Sequence, residues 1–135
     1  PMNSSAASDV YKRQVYPITH DNTDQARATL KAAEKILVKD GDSMVFSPEG
    51  QRTLTGEMGE FKKGGFHFAK STNVASIVPV GLIGAYRANV RTSWVVNPGK
   101  LTTVFGEPIT PEDYRDLTVE ELRDLTKKRI SELLV

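Results

Sequence analysis

An apolar run that ends in a proline and glycine turn constrains this chain more than any other segment does. Residues 43–46 read Ser-Met-Val-Phe and are followed by Ser47, Pro48, Glu49 and Gly50. Pro48 stops a strand ladder because it has no N–H to donate. Gly50 permits a tight turn and lets a ligand approach the backbone closely. The segment therefore predicts a buried strand from Ser43 to Phe46, with a ligand-binding turn at its carboxyl end.

Positive charges follow this turn at short spacing. Arg52 comes two residues after Gly50, and Lys62 and Lys63 follow a glycine-containing loop. Arginine makes bidentate contacts with phosphate, whereas lysine acts as a compact point charge. These residue types predict a site for a phosphate monoester. Two alternatives stay open: an ion pair of Glu49 with Arg52 that braces the turn, and ordinary surface charge at the two lysines.

Three blocks follow one another at short spacing: Ser-Pro-Glu-Gly-Gln-Arg-Thr at 47–53, Phe-Lys-Lys-Gly at 61–64 and Ala-Ser-Ile-Val-Pro-Val at 75–80. Together they resemble the PlsC-type glycerolipid acyltransferase family. The family pattern is similar to Phe-Pro-Glu-Gly-Thr-Arg-Ser, Phe-Lys-x-Gly and Val-Pro-Ile-Val-Pro-Val, in the same order. Ser47 and Gln51 depart from it, and neither departure removes a charge.

The resemblance implies transfer of a fatty acyl group from acyl-CoA or acyl carrier protein to the free hydroxyl of a lysophospholipid. The implied acceptor is 1-acyl-sn-glycerol 3-phosphate, and the process is phospholipid biosynthesis. In the family a histidine serves as general base and an aspartate, after four intervening residues, orients it. Neither His20 nor His67 has an aspartate at that spacing, so we assign no catalytic residue. We expect His67 to be a structural or surface histidine.

The resemblance also implies roles for the residues that are present. Arg52 would pair with the acceptor phosphate and Gly50 would permit its close approach, while the lysines Lys62 and Lys63 would steer it. Glu49 would orient Arg52, bond backbone N–H groups of the turn or help to position the histidine.

A further part of the phosphate site is implied upstream of the turn. Residues 15–20 resemble the family's second block, which places His20 where an arginine often helps to hold the phosphate. A histidine there would be a weaker, pH-dependent cation. A loop histidine without a role is the alternative.

The beginning of the chain predicts a partial domain. Residues 1–14 start with Pro1 before Met2, lack hydrophobic periodicity and are rich in serine, alanine and asparagine. This composition indicates a disordered or non-native segment, with a native flexible tail as the alternative. We expect residues 15–135 to be the C-terminal portion of an N-terminally truncated acyltransferase domain that is inactive alone. The alternative function is a non-catalytic lipid-phosphate-binding module.

Composition limits the partners and cofactors. The formal net charge is +1, which gives no case for nucleic-acid binding. Cysteine is absent, so thiolate metal sites are excluded, and we expect neither a metal nor a cofactor besides the acyl donor. No apolar stretch approaches the roughly 20 residues that span a bilayer. The resemblance implies contact with a membrane surface through N-terminal segments, at the cytoplasmic face of the inner (plasma) membrane.

Helix and strand signals alternate along the chain. We expect an α/β fold with a mixed, largely parallel sheet flanked by helices, and the resemblance implies the glycerol-3-phosphate acyltransferase-like fold. The predicted helices are Asn22–Lys39, Gly65–Ser71, a short turn at Thr110-Pro111, and a final helix capped by Thr118 with Glu121. The predicted strands after residue 46 are Ser76–Ile83, which contains Pro79 at an edge or bulge, Trp94–Val96 and Leu101–Phe105.

Overall fold

The structure is a computed structural model of the 135-residue chain, and it describes residues 23–41, 43–73, 76–90 and 92–135. The chain divides into two compact units, with the boundary between Met44 and Val45. The predictions for residues 1–14, for the block 15–20 and for His20 lie outside the described residues. Among the described residues, no helix combines the length and apolar character that crossing a bilayer requires.

The described part of the first unit is dominated by one helix, α1, Thr23–Asp40. Asp24 in its first turn and Lys39 in its last turn complement the helix dipole. The helix ends at Gly41, which adopts a left-handed φ of 68° and donates its N–H to the carbonyl of Leu37 at 3.1 Å. The helix predicted here from periodicity is confirmed.

The second unit contains the remaining elements. They are α2 (Gly64–Thr72), β1 (Val80–Ile83), α3 (Ala85–Ala88), β2 (Thr102–Phe105), α4 (Pro111–Tyr114) and α5 (Val119–Leu133). A buried apolar cluster joins α2, α4 and α5 through Phe61, Phe66, Ile109, Tyr114 and Leu122. The last helix begins as predicted, because Thr118 Oγ1 accepts from the N–H of Glu121 while the Glu121 carboxylate accepts from the N–H of Thr118.

The strands β1 and β2 pair antiparallel, with Val80 opposite Phe105 and Ile83 opposite Thr102. Just before β1, Ile77 forms an isolated bridge with Ile109. Pro79 separates this bridge from the strand because it has no N–H, although its carbonyl accepts from Gly106 at 2.8 Å. Pro79 was predicted to lie at an edge or bulge of a strand from Ser76 to Ile83, whereas the regular strand begins only after it, at Val80. The strand pairing seen among the described residues is antiparallel, so the largely parallel sheet is not confirmed.

Three strand predictions were wrong in part or in whole. Residues 43–46 and 94–96 form no strand, and Val45 and Trp94 are fully exposed. An apolar segment becomes a strand only when a neighbour supplies hydrogen bonds and packing, and no described residue pairs with either segment. The strand expected in the core, Ser76–Ile83, is shortened to Val80–Ile83, and of these residues only Gly81 is buried, with Leu82 64% exposed.

Candidate functional site

The turn that follows Phe46 has the predicted geometry. The N–H of Gly50 donates to the carbonyl of Ser47 at 3.2 Å, which closes a four-residue turn with Pro48 in its second position. Gly50 has a φ of 71°, in the left-handed region that other residues enter only at a cost. The requirement for glycine at this turn is therefore confirmed, and Arg52 lies two residues beyond it.

A pair of hydrogen bonds closes the base of the loop that carries Arg52. The N–H of Gly59 donates to Glu49 Oε2 at 2.8 Å, and the N–H of Lys62 donates to the carbonyl of Pro48 at 2.8 Å. A carboxylate that accepts from a backbone N–H forms a charge-assisted bond, which is stronger than a neutral one. Of the roles expected for Glu49, the structure shows the bond to backbone, and no ion pair forms between Glu49 and Arg52.

The loop also bonds to itself near its tip. Thr53 Oγ1 accepts from the N–H groups of Thr55, at 3.3 Å, and Gly56, at 3.1 Å. The N–H of Glu57 donates to Thr55 Oγ1 at 3.3 Å. These bonds use hydroxyl oxygens in place of the backbone carbonyls of a helix or sheet. The segment from residue 50 to residue 60 is thus a folded loop, although it contains no helix or strand.

The predicted cations differ in their surroundings. The Arg52 side chain is exposed and makes no ion pair or hydrogen bond with any described residue. Lys63 Nζ lies 2.7 Å from Glu120 Oε1, and this hydrogen bond lowers the pKa of the Glu120 carboxyl. Lys63 therefore ties the start of α2 to the first turn of α5, whereas Arg52 is open to an anion from solvent. The Lys62 side chain, next to Lys63 in the sequence, is exposed.

An open depression of about 730 Å³ adjoins this loop. Its walls are formed by residues along the whole loop, from Glu49 to Lys63, and by one side chain of α5, Arg123. Its charged lining residues are Glu49, Arg52, Glu57, Glu60, Lys62, Lys63 and Arg123. The structure therefore brings four of the predicted site residues, Glu49, Arg52, Lys62 and Lys63, to one concave surface.

Arg123 is the lining residue that the sequence did not single out. Its Nε and Nη2 atoms each lie 2.8 Å from Asp124 Oδ1. This hydrogen bond raises the pKa of Arg123 and lowers the pKa of Asp124. No local pattern identifies Arg123, because it reaches the loop from a helix about 60 residues downstream. His67 is exposed on α2, in agreement with the prediction of a structural or surface histidine.

The described residues contain no group of three or more histidine, aspartate or glutamate side chains that could hold a metal ion. Charged side chains are the chemical groups that the depression presents among these residues. A guanidinium on a folded loop, beside a concave surface, can bind a phosphate group through charge-assisted hydrogen bonds.

Comparison with known proteins identifies the family. The family model described as Acyltransferase matches residues 7–83, which is more than half of the chain. A 1-acyl-sn-glycerol-3-phosphate acyltransferase of Cocos nucifera is 33% identical over 99 residues, which are 73% of this chain and 32% of the relative. The chloroplastic 1-acyl-sn-glycerol-3-phosphate acyltransferase LPAT1 of Arabidopsis thaliana is 39% identical over 74 residues, which are 54% of this chain and 20% of the relative.

A solved structure agrees with these relatives. The crystal structure of the 1-acyl-sn-glycerophosphate acyltransferase PlsC from Thermotoga maritima matches with a TM-score of 0.70 at 28% identity. The match covers 80% of this chain and 43% of that protein, so the chain spans less than half of the length of each of these three relatives. The chain belongs to the PlsC-type acyltransferase family.

Proposed function

We propose that this chain holds the acceptor phosphate during transfer of a fatty acyl group to 1-acyl-sn-glycerol 3-phosphate. In that reaction the free hydroxyl oxygen of the acceptor attacks the thioester carbonyl of acyl-CoA or of an acyl carrier protein. A new C–O ester bond forms, the C–S bond breaks, and the thiol leaves with a proton. The names of the relatives support this choice of acceptor. Either thioester donor fits the same chemistry.

The observation that carries the proposal is the placement of Arg52. The guanidinium is exposed, has no partner among the described residues, and stands on a loop whose base is closed by Glu49 and Gly59. A loop that is already folded loses little conformational entropy when it binds a ligand. A phosphate monoester would accept two parallel hydrogen bonds from the guanidinium, and a hydrogen bond to a charged group contributes about 1.5–3 kcal/mol.

The charges around Arg52 favour this single anchor over a general anion surface. Three carboxylates, Glu49, Glu57 and Glu60, line the same depression as the cations. Lys63 is already paired with Glu120. Near these carboxylates, or near the paired cations Lys63 and Arg123, an anion is held less well than at Arg52. We therefore propose Arg52 as the primary phosphate contact and Lys62 as a steering charge.

Replacing Arg52 by alanine is expected to weaken the binding of glycerol 3-phosphate by at least about tenfold. The reason is the loss of charge-assisted hydrogen bonds, since each 1.4 kcal/mol corresponds to a factor of ten in Kd. Isothermal titration calorimetry on the 135-residue chain measures the affinity, with uncharged glycerol as the ligand control. Arg115→Ala is the matched variant, because Arg115 is exposed and does not line the depression. Equal affinities for the Arg52→Ala and Arg115→Ala variants would remove Arg52 from the phosphate site.

A non-catalytic lipid-phosphate-binding module is the second candidate function. It is favoured by one observation: the sequence contains no histidine and aspartate separated by four intervening residues, the spacing at which the family's general base and its orienting aspartate stand. General-base catalysis contributes roughly 10²–10⁴ in rate. The DNA upstream of the codon for Pro1 separates the two functions, because an in-frame His/Asp pair there indicates an enzyme.

The 135-residue chain by itself is expected to show no acyl transfer, because its sequence lacks the His/Asp pair that supplies the general base in the family. The assay mixes acyl-CoA, 1-acyl-sn-glycerol 3-phosphate and the chain, and follows the released thiol. The control is a heat-denatured sample of the same preparation. Thiol release above that control, together with formation of the diacyl product, would show that this chain carries a general base of its own.

A further inference from the structure

One side chain from outside the Arg52 loop reaches its tip. Tyr86, in α3, donates its hydroxyl to the carbonyl of Leu54 at 3.1 Å. Its ring lies against Gly56, so that a Cβ atom at that position would stand 3.0–3.3 Å from three ring carbons. Tyr86 thus contacts the loop twice, once through the hydroxyl and once through the ring.

These contacts differ in place from the other bonds that hold the loop. Glu49 with Gly59 and Pro48 with Lys62 close the base of the loop. At the tip, the hydrogen bonds of Thr53 and Thr55 join only residues within the loop, so they do not fix it to the rest of the protein. Among the described residues, Tyr86 supplies the hydrogen bond from another element to the tip.

The backbone beneath Tyr86 is itself well anchored. Gly84 precedes α3 with a φ of 90°, and a Cβ there would collide with the carbonyl oxygen of Lys100, which leads into β2. At the other end of α3, the N–H of Asn97 donates to the carbonyl of Ala88 at 2.8 Å, and Asn97 Nδ2 donates to the carbonyl of Arg87 at 3.3 Å. A fixed α3 can hold a loop that has no regular structure of its own.

We propose that Tyr86 is a positioning residue that holds the tip of the Arg52 loop and so keeps Arg52 in place for the acceptor phosphate. The expected effect of Tyr86 on phosphate affinity rests on the function proposed above. The restraint of the loop tip is independent of that function, because it follows from the contacts of Tyr86 with Leu54 and Gly56. Tyr86 acts on the ligand only through the loop and is not itself a phosphate contact.

Two substitutions separate the hydroxyl from the ring. Tyr86→Phe keeps the ring against Gly56 and removes the donor to Leu54, whereas Tyr86→Ala removes both. Trp94→Ala is the control, because Trp94 is a fully exposed aromatic residue. The readouts are amide hydrogen exchange of residues 53–57, the Kd for glycerol 3-phosphate and the midpoint of thermal unfolding, all on the 135-residue chain.

We expect Tyr86→Phe to weaken glycerol 3-phosphate binding by about two- to tenfold, the range that corresponds to one neutral hydrogen bond. Tyr86→Ala should weaken it further, and both variants should speed exchange at residues 53–57. The unfolding midpoint of Tyr86→Phe should match that of the wild type, because the hydrogen bond is exposed and its acceptor lies in a loop. Wild-type affinity in both variants would overturn the proposal.

The exchange measurement also separates this proposal from the proposed function. If the wild-type chain does not bind glycerol 3-phosphate, the proposed function fails on that result alone. Unchanged exchange at residues 53–57 in Tyr86→Ala would then overturn the restraint by Tyr86 as well, and faster exchange would support it.

Discussion

Replacing Leu122 by alanine is expected to lower the free energy of unfolding by about 2–5 kcal/mol, the range for a buried leucine reduced to alanine. Leu122 lies in α5 with none of its surface exposed, in contact with the cluster that contains Phe61, Phe66 and Tyr114. The substitution removes apolar area and leaves a cavity in this cluster, and both effects lower the stability of the folded state. Chemical denaturation followed by circular dichroism measures the change.

The matched control is Leu101→Ala. Leu101 is 63% exposed, so its truncation should change the free energy of unfolding by no more than about 0.5 kcal/mol. A loss for Leu122→Ala as small as that for Leu101→Ala would mean that α5 does not pack on this cluster. The cluster also bears on the site, because Phe61 in it directly precedes Lys62.

Alanine substitutions at two adjacent glycines of α2 are expected to change stability in opposite directions. A Cβ atom at Gly65 would collide with the ring of Phe46, whereas one at Gly64 would meet no atom within 4 Å. Overpacking of this kind typically costs about 1–3 kcal/mol. At an open helical position, replacing glycine by alanine stabilises by roughly 0.5–1 kcal/mol, because the unfolded chain has fewer conformations.

Chemical denaturation of Gly65→Ala and Gly64→Ala tests the sign of each change in the free energy of unfolding. Because the two residues are neighbours at the start of one helix, a difference between them reports on local packing and not on helix propensity. Stabilisation by Gly65→Ala would show that the ring of Phe46 does not rest on α2. The contact explains why glycine suits residue 65: it lets Phe46, just before the turn, lie against the helix, with the rings of Phe46 and Phe66 edge to face at 6.4 Å.

Apart from the strand at Thr102–Phe105, the parts of the fold that the sequence predicted depend on local interactions. The capping box of Thr118 and Glu121, the short helix after Thr110 and the stop at Gly41 each involve residues a few positions apart. The strand predictions were wrong at residues 43–46 and 94–96, because pairing with a distant strand decides whether such a segment becomes a strand. Residues 43–46 are apolar enough for a strand, yet no described residue supplies the ladder that would make them one.

The candidate site follows the same division. The turn at Gly50 and the exposed cation at Arg52 were predictable, because their residue types and spacing carry the chemistry. The residues Arg123 and Tyr86 were not, since they reach the loop from elements that lie 30 or more positions further along the chain. The pairing of Lys63 with Glu120 is likewise a tertiary contact that no local pattern reveals.

We propose above that the turn and loop from Gly50 to Gly59 bind the phosphate of the acceptor. The most direct test is a titration of the ¹⁵N-labelled chain with glycerol 3-phosphate, observed through the amide resonances. We expect saturable shifts at Gly50, Arg52 and Gly59, with none at equal concentrations of uncharged glycerol. Shifts confined to residues outside the loop, or no shifts at saturating concentration, would contradict it.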